Sequence, residues 1–126
     1  TGHRSDIPRI LSAFEILVMP SLFEGLCFAV IEASAMGIPV IATAVGGMRR
    51  SVIDGKTGLL IPPGDPRALA RAILWMLEHL QEAKEMGLRG RKYFEELFTQ
   101  DKMVKKTAEL YKMFLDKTGK RLNSHA

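Results

Sequence analysis

Cysteine is all but absent: Cys27 is the single thiol in 126 residues. That excludes an internal disulfide framework and a cysteine-built metal site, and it fits a reducing compartment. Long apolar runs are missing too. Glu32 and Pro39 interrupt the most hydrophobic stretch, so nothing approaches the roughly 18 apolar residues of a membrane-spanning helix. The chain opens Thr-Gly-His-Arg-Ser-Asp, with no apolar segment behind a basic start, so no signal peptide is read. The expected location is cytoplasmic, with peripheral membrane association of a longer parent left open. No initiator Met stands ahead of Thr1, which reads as a processed end or as the cut edge of something longer. The three histidines, His3, His79 and His125, are scattered, and no metal-ligand spacing appears, so no metal or other cofactor is expected.

What is present divides the chain in two. All six prolines and eight of the eleven glycines lie in residues 1–66, so loops and tight turns concentrate there. Residues 1–63 hold five basic side chains (Arg4, Arg9, Arg49, Arg50, Lys56) against five acidic ones (Asp6, Glu15, Glu24, Glu32, Asp54). The formal excess of +4 therefore belongs wholly to the remainder, where thirteen basic face nine acidic residues. Hydrophobic residues at 47% and charged residues at 25% are ordinary for a globular chain, and the length suits one domain of roughly 100–150 residues. Residues 1–64 read as a βα portion carrying any site, and residues 65–126 as a helical portion.

Local signals predict the elements. Asp6 caps a short helix ending near Phe14, with Pro8 in its first turn. Glu15 to Pro20 is a short strand, nearly continuously apolar and so buried on both faces. Ser21 to Leu26 is a loop, and Cys27 to Met36 a helix stopped by Gly37. A second strand covers Pro39 to Thr43, Arg49 to Ile53 form a turn of helix, and Asp54 to Gly58 are a turn cluster. Gly58 to Ile61 make a third strand. Asp65-Pro66 is an N-cap with proline at the first helical position, and Leu69, Ile73, Met76, Leu77 and Leu80 follow at helical spacing. A second long helix spans Glu82 to Leu97, weakened at Gly87 and Gly90. A third runs from Gln100 or Asp101 to about Lys117, before a polar, frayed tail from Gly119 to Ala126. Strands alternating with helices imply a parallel sheet with right-handed crossovers. The fold class is α/β, a Rossmann-like parallel sheet with flanking helices. Three short strands are few for such a sheet, so the chain reads as the later portion of a larger α/β domain.

The loop from Ser21 to Phe28 stands where a buried strand hands over to a helix, at the edge where open α/β sheets bind ligands. A helix N-terminus there presents free N–H groups and positive dipole charge, suited to phosphate. Glu24 lies on the loop and Glu32 eight residues later in the helix. A carboxylate repels phosphate but accepts well from paired sugar hydroxyls. Ser21-x-x-Glu24 also fits a capping box, so a purely local role for Glu24 stands beside the ligand role. Glu32 is favourable near a helix start for dipole reasons alone, Gly46-Gly47 is a tight turn by default, and Cys27 is read as a small buried filler rather than a reactive thiol.

Glu24-Gly-Leu-Cys-Phe-Ala-Val-Ile-Glu32 resembles the Glu-x7-Glu motif of retaining, nucleotide-sugar-dependent glycosyltransferases with the GT-B fold, the glycosyltransferase family 4 or "group 1" type. The flanks agree in order: Val18-Met-Pro-Ser21, Ala33-Ser-Ala-Met-Gly-Ile-Pro-Val40, Ala42-Thr43-Ala-Val-Gly46-Gly47, Val52-Ile-Asp54-Gly55, Thr57-Gly-Leu-Leu-Ile-Pro62 and Gly64-Asp65-Pro66. The resemblance implies the second half of a C-terminal, donor-binding Rossmann-like domain. It assigns Glu24 to the transferred sugar's hydroxyls, as the catalytic residue, and Glu32 to the ribose. The backbone amides of Gly25, Leu26, Cys27 and Phe28 would face the sugar and diphosphate, with Val30 at the nucleoside and the Gly2 to Arg4 loop near the base. The partners it implies are a nucleotide-sugar donor and an N-terminal acceptor domain, with no metal ion. Two departures stand out: Arg50 takes the glutamate place of Gly-Gly-x-x-Glu, and Cys27 a place more often glycine or proline. The family's diphosphate-holding Arg and Lys come from segments before Thr1, so the chain alone is expected to be inactive. The family's last helix packs on the other domain, so the stripe Met103, Val104, Leu110, Tyr111 and Phe114 is expected to promote self-association.

Two other classes are kept open. One is a non-catalytic sugar-nucleotide or interaction module. The other is a nucleic-acid or anionic-surface binder using Lys102, Lys105, Lys106, Lys112, Lys117, Lys120 and Arg121. Interleaved Asp101, Glu109 and Asp116 favour a solvated helix face instead, and nucleic acid is not the expected partner.

Overall fold

Short apolar stretches rich in β-branched residues satisfy their backbone groups only by pairing side by side. The computed structural model describes residues 4–123, with side chains as far as residue 115. Strands β1 (Leu17–Met19), β2 (Val40–Thr43) and β3 (Gly58–Ile61) form one parallel sheet in the order β1-β2-β3. Leu17 stands opposite Val40, and Val40 in turn opposite Gly58. The expected strand over Glu15–Pro20 is trimmed at both ends, because Glu15 and Pro20 are exposed and proline donates no ladder hydrogen bond.

The α/β reading holds. Helices cover both faces, which is why β2 is buried at all four positions. On one face Val40 and Ala42 pack with Val30, Ala33, Met48 and Val52, so α2 (Phe28–Ala35) and α3 (Met48–Ser51) lie there, with α1 (Ile7–Leu11). On the other, Ile41 and Ile61 pack with Ala68, Ala72, Met76, Ala83 and Met86 from α4 (Pro66–Glu78) and α5 (Leu80–Leu97). The period of two along β2 sorts neighbouring side chains into separate cores.

Asp65 begins α4 as expected: its Oδ1 accepts from the Ala68 N–H at 2.9 Å, ahead of Pro66. Asp6 does not cap α1 with its side chain; it pairs with Arg4 at 2.7 Å. The Arg4 guanidinium draws the Asp6 carboxyl below its ordinary pKa.

Gly87 and Gly90 do not weaken α5, which runs unbroken through both. They are buried contact points. A Cβ at Gly87 would overlap the carbonyl oxygen of Gly37, and one at Gly90 would lie 3.4 Å from the Thr57 oxygen.

A second unit begins at Glu96 and is built on α6 (Gln100–Asn123). Its backbone is helical through Asn123, past the expected end near Lys117 and through part of the tail read as frayed. Residues 124–126 of that tail lie outside the described residues. Met103, Val104, Leu110, Tyr111 and Phe114 are exposed. No helix among the described residues is long and apolar enough to cross a membrane.

Candidate functional site

The carboxyl ends of β1 and β2 open into adjacent irregular segments: Pro20 to Cys27 leads into α2, and Ala44 to Gly47 into α3. Between them lies a cavity of about 590 Å³ lined by Leu22, Phe23, Glu24, Gly25, Val45 and Gly46. A smaller cavity of about 200 Å³ adjoins the same edge through Leu22 and Thr43, reaching Pro62, Asp65 and Leu69 beyond β3. Both open at the sheet edge where strand-to-helix connections gather backbone donors.

Glu24 is half-buried in the wall of the larger cavity. Its Oε2 lies 3.4 Å from the Ser21 hydroxyl, a long contact that leaves most of the carboxylate's accepting capacity unused. The capping-box alternative fails here. The N-cap of α2 is Cys27, in extended backbone, so Ser21 lies six residues too early to cap that helix. Glu24 is then a carboxylate on a loop with no helix end to satisfy.

The eight-residue α2 starts at Phe28 beside this cavity. Among the described residues, the N–H groups of Gly25, Leu26, Cys27 and Phe28 donate to no protein acceptor: those of Cys27 and Phe28 stand at the helix start, which leaves them free, and those of Gly25 and Leu26 lie in the irregular loop before it. The Cys27 thiol is buried in the core around Val30 and Ala33. What Cys27 and its neighbours offer outward is therefore backbone. Phe23, in the cavity lining beside Glu24, is 92% exposed, and Phe28, the first residue of α2, is 70% exposed.

Val30, expected at the nucleoside, lies outside the lining of the Glu24 cavity and is fully buried with Leu17, Val40 and Met48. A helix rotates about 100° per residue, so the turn that buries Val30, Ala33 and Ser34 against the sheet leaves Glu32 exposed. Glu32 lies on α2 outside the lining of the Glu24 cavity. Of the segment expected near a base, Gly2 and His3 lie outside the described residues, and Arg4 is engaged by Asp6.

Leu22, Phe23 and Val45 line the cavity beyond the contacts expected from the sequence, and Gly46, a tight turn with ligand approach only a secondary expectation, lines it too. The signal for Leu22 and Phe23 is proximity, since they precede Glu24. His79 stacks on Trp75 with ring centroids 4.7 Å apart and has its Nδ1 2.8 Å from the Trp75 carbonyl oxygen, which gives it a local structural role on α4. Among the described residues no group of three His, Cys, Asp or Glu side chains is placed to hold a metal ion.

Comparison with known proteins adds the following. The family described as "Glycosyl transferases group 1" matches residues 1–79. The D-inositol 3-phosphate glycosyltransferase of Streptomyces avermitilis is 35% identical over 113 residues, covering 90% of this chain and 24% of that protein. Sucrose-phosphate synthase from Thermosynechococcus elongatus superposes with a TM-score of 0.78 at 39% identity, over 85% of this chain and 27% of that one. HepE from Anabaena, crystallised with UDP-glucose, superposes with a TM-score of 0.84 at 26% identity, over 90% of this chain and 31% of that one. The chain thus spans about a quarter of the length of the curated relatives it matches.

Proposed function

This chain belongs to the group 1 glycosyl transferases, and we propose that it supplies the donor side of a retaining glycosyl-transfer site for a nucleotide-diphosphate sugar. One observation carries the reading. Glu24 is a cavity-lining carboxylate freed from any capping duty, on a loop whose next four N–H groups have no protein acceptor among the described residues. Acceptor and donors sit side by side, as a ligand with sugar hydroxyls at one end and phosphate at the other requires.

In this reading Glu24 accepts hydrogen bonds from hydroxyls of the transferred sugar and holds the anomeric carbon in place. The amides of Gly25, Leu26, Cys27 and Phe28, with the positive end of α2, stabilise the charge that grows on the departing diphosphate. Exposed on α2, Glu32 accepts from the ribose hydroxyls. The reading invokes no resident metal. That HepE was crystallised with UDP-glucose makes a uridine nucleotide the first donor to try.

The test uses the intact protein that carries this chain. UDP-, GDP- and ADP-sugars are screened by thermal shift, and transfer is then followed by nucleoside-diphosphate release and by NMR of the product anomer. Retention of the donor's anomeric configuration, and loss of at least about 100-fold in rate for Glu24→Ala, is the expected result. An inverted product removes the retaining assignment. Unchanged transfer by Glu24→Ala removes the whole reading and leaves a non-catalytic module as the better account.

A further inference from the structure

A carboxylate on an irregular loop is poorly placed to hold a sugar unless something fixes the loop, since a misplacement of about 1 Å can cost on the order of 100-fold in rate. The segment from Pro20 to Leu26 lies outside every helix and strand. It is held by the neighbouring strand end instead. Thr43, the last residue of β2, is 1% exposed, and its hydroxyl donates to the Ser21 carbonyl. Gly47 N–H donates to the Gly25 carbonyl at 2.9 Å. Between those two bonds the backbones touch. A Cβ on Gly46 would overlap the Glu24 carbonyl oxygen, and one on Gly47 would overlap that of Gly25. Glu24 is thus gripped on both sides, three residues before and one residue after.

These contacts differ from ordinary core packing. A valine at position 43 would fill nearly the same volume with one more buried methyl, so what the threonine adds is the hydrogen bond from its hydroxyl to the Ser21 carbonyl. Gly46 adopts φ +45, where a side chain is strained, and Gly47 is excluded from change by contact rather than by conformation. The turn that lines part of the cavity therefore also sets where the adjoining Glu24 segment stands.

We infer that Thr43 and Gly47 are positioning residues for Glu24, acting through the backbone of its loop and not by touching the sugar. The inference rests on the donor-site reading given under the proposed function. It assigns a role to the strand-end hydroxyl and to the Gly-Gly turn that neither fold stability nor direct ligand contact supplies.

Donor affinity is measured by titration calorimetry in the intact protein, using whichever of UDP-glucose, GDP-mannose and ADP-glucose raises its melting temperature. Four forms are compared: wild type, Thr43→Val, Glu24→Ala and the double variant, with Thr43→Ser as the conservative rescue. Thr43→Val is expected to weaken binding about ten-fold, and Thr43→Ser to stay within about two-fold of wild type. In the Glu24→Ala background, Thr43→Val should add less than about two-fold, because a residue acting through Glu24 has nothing left to position. A structural role would lower stability without that non-additivity. In ¹⁵N spectra of the 126-residue chain, Thr43→Val should move the Glu24 and Gly25 amide resonances, and Thr43→Ser should not.

Independent, multiplying effects in the double variant overturn the inference, as do unmoved amide resonances or unchanged affinity in Thr43→Val. If Thr43→Val does not fold, Thr43→Ala, smaller and equally without the hydroxyl, is read by the same cycle against Glu24→Ala. Unchanged affinity in Glu24→Ala alone is the distinguishable failure of the donor-site reading, and the positioning role falls with it.

Discussion

Two glycines in one helix should respond to the same substitution with opposite signs. Gly87 and Gly90 both lie inside α5, and replacing a mid-helix glycine by alanine gains about 1 kcal/mol from propensity. At Gly90 the new Cβ would meet the Thr57 oxygen at 3.4 Å, the Thr57 Cβ at 3.8 Å and the Ser34 Oγ at 3.9 Å. Those are close to ordinary contacts, so most of the gain survives and a few apolar contacts are added. At Gly87 the Cβ would overlap the Gly37 carbonyl oxygen and come within 3.0 Å of the Pro39 nitrogen. Both are backbone atoms, and Gly37 holds φ +75 in the turn that ends α2, so the turn cannot give way without moving the start of β2. Overpacking of that kind costs about 1–3 kcal/mol, and the close contact makes the upper half of that range apply. The net expectation is about 1–2 kcal/mol lost for Gly87→Ala and about 0.5–1 kcal/mol gained for Gly90→Ala. In melting temperature these correspond to a fall of roughly 4–8 °C and a rise of roughly 2–4 °C for a chain of this size. Urea unfolding followed by far-UV circular dichroism checks both, with the m-value confirming that compactness is unchanged. A Gly87→Ala variant as stable as wild type would falsify the close approach of α5 to the Gly37 turn.

Removing the α4 cap by Asp65→Ala should cost about 1 kcal/mol in the same unfolding assay. Donor affinity should be unaffected, since Asp65 lies outside the lining of the Glu24 cavity; a parallel loss of affinity would contradict that separation. Asp6 is held ionised by Arg4. Its folded pKa is below the unfolded one, so its small stabilisation is present above the ordinary carboxylate range and is lost as pH falls through the lowered value. Asp6→Asn should therefore lower the melting temperature slightly at neutral pH and low salt, with the difference vanishing in strong acid or about 1 M salt; a difference that persists in acid refutes the pairing. Because Met103, Val104, Leu110, Tyr111 and Phe114 of α6 are exposed, the 126-residue chain should self-associate in sedimentation velocity. Strictly monomeric behaviour at high concentration without hydrophobic-dye binding refutes that. Any nucleic-acid binding through the basic helix should be lost steeply with salt, and none is expected at physiological ionic strength.

Where the determining interactions are local, the residues alone were enough. Gly58 to Ile61 was bounded as a strand by a turn cluster on one side and prolines on the other. The start of α4 was legible because Asp65 and Pro66 act within one helical turn. The Glu24 loop was found the same way, as the irregular stretch between a buried strand and a helix. The ordered series of short motifs resembles the glycosyl transferase family on local sequence alone. What stayed hidden depended on which side of the sheet a helix lies and on what approaches from afar in sequence. Val30 and Glu32 are two residues apart, and only the packing of α2 on the sheet buries one and exposes the other. Ser21 and Glu24 fit a capping box by spacing; the helix that would have needed it begins at Phe28. Gly87 reads as a weak point in a helix until the Gly37 carbonyl, fifty residues earlier in the chain, is placed against it. The contacts from Thr43 and Gly47 to the Glu24 loop cross 22 residues of sequence in each case. Periodicity and caps are properties of neighbours along the chain, whereas a site's walls are made by segments that become neighbours only when the sheet forms.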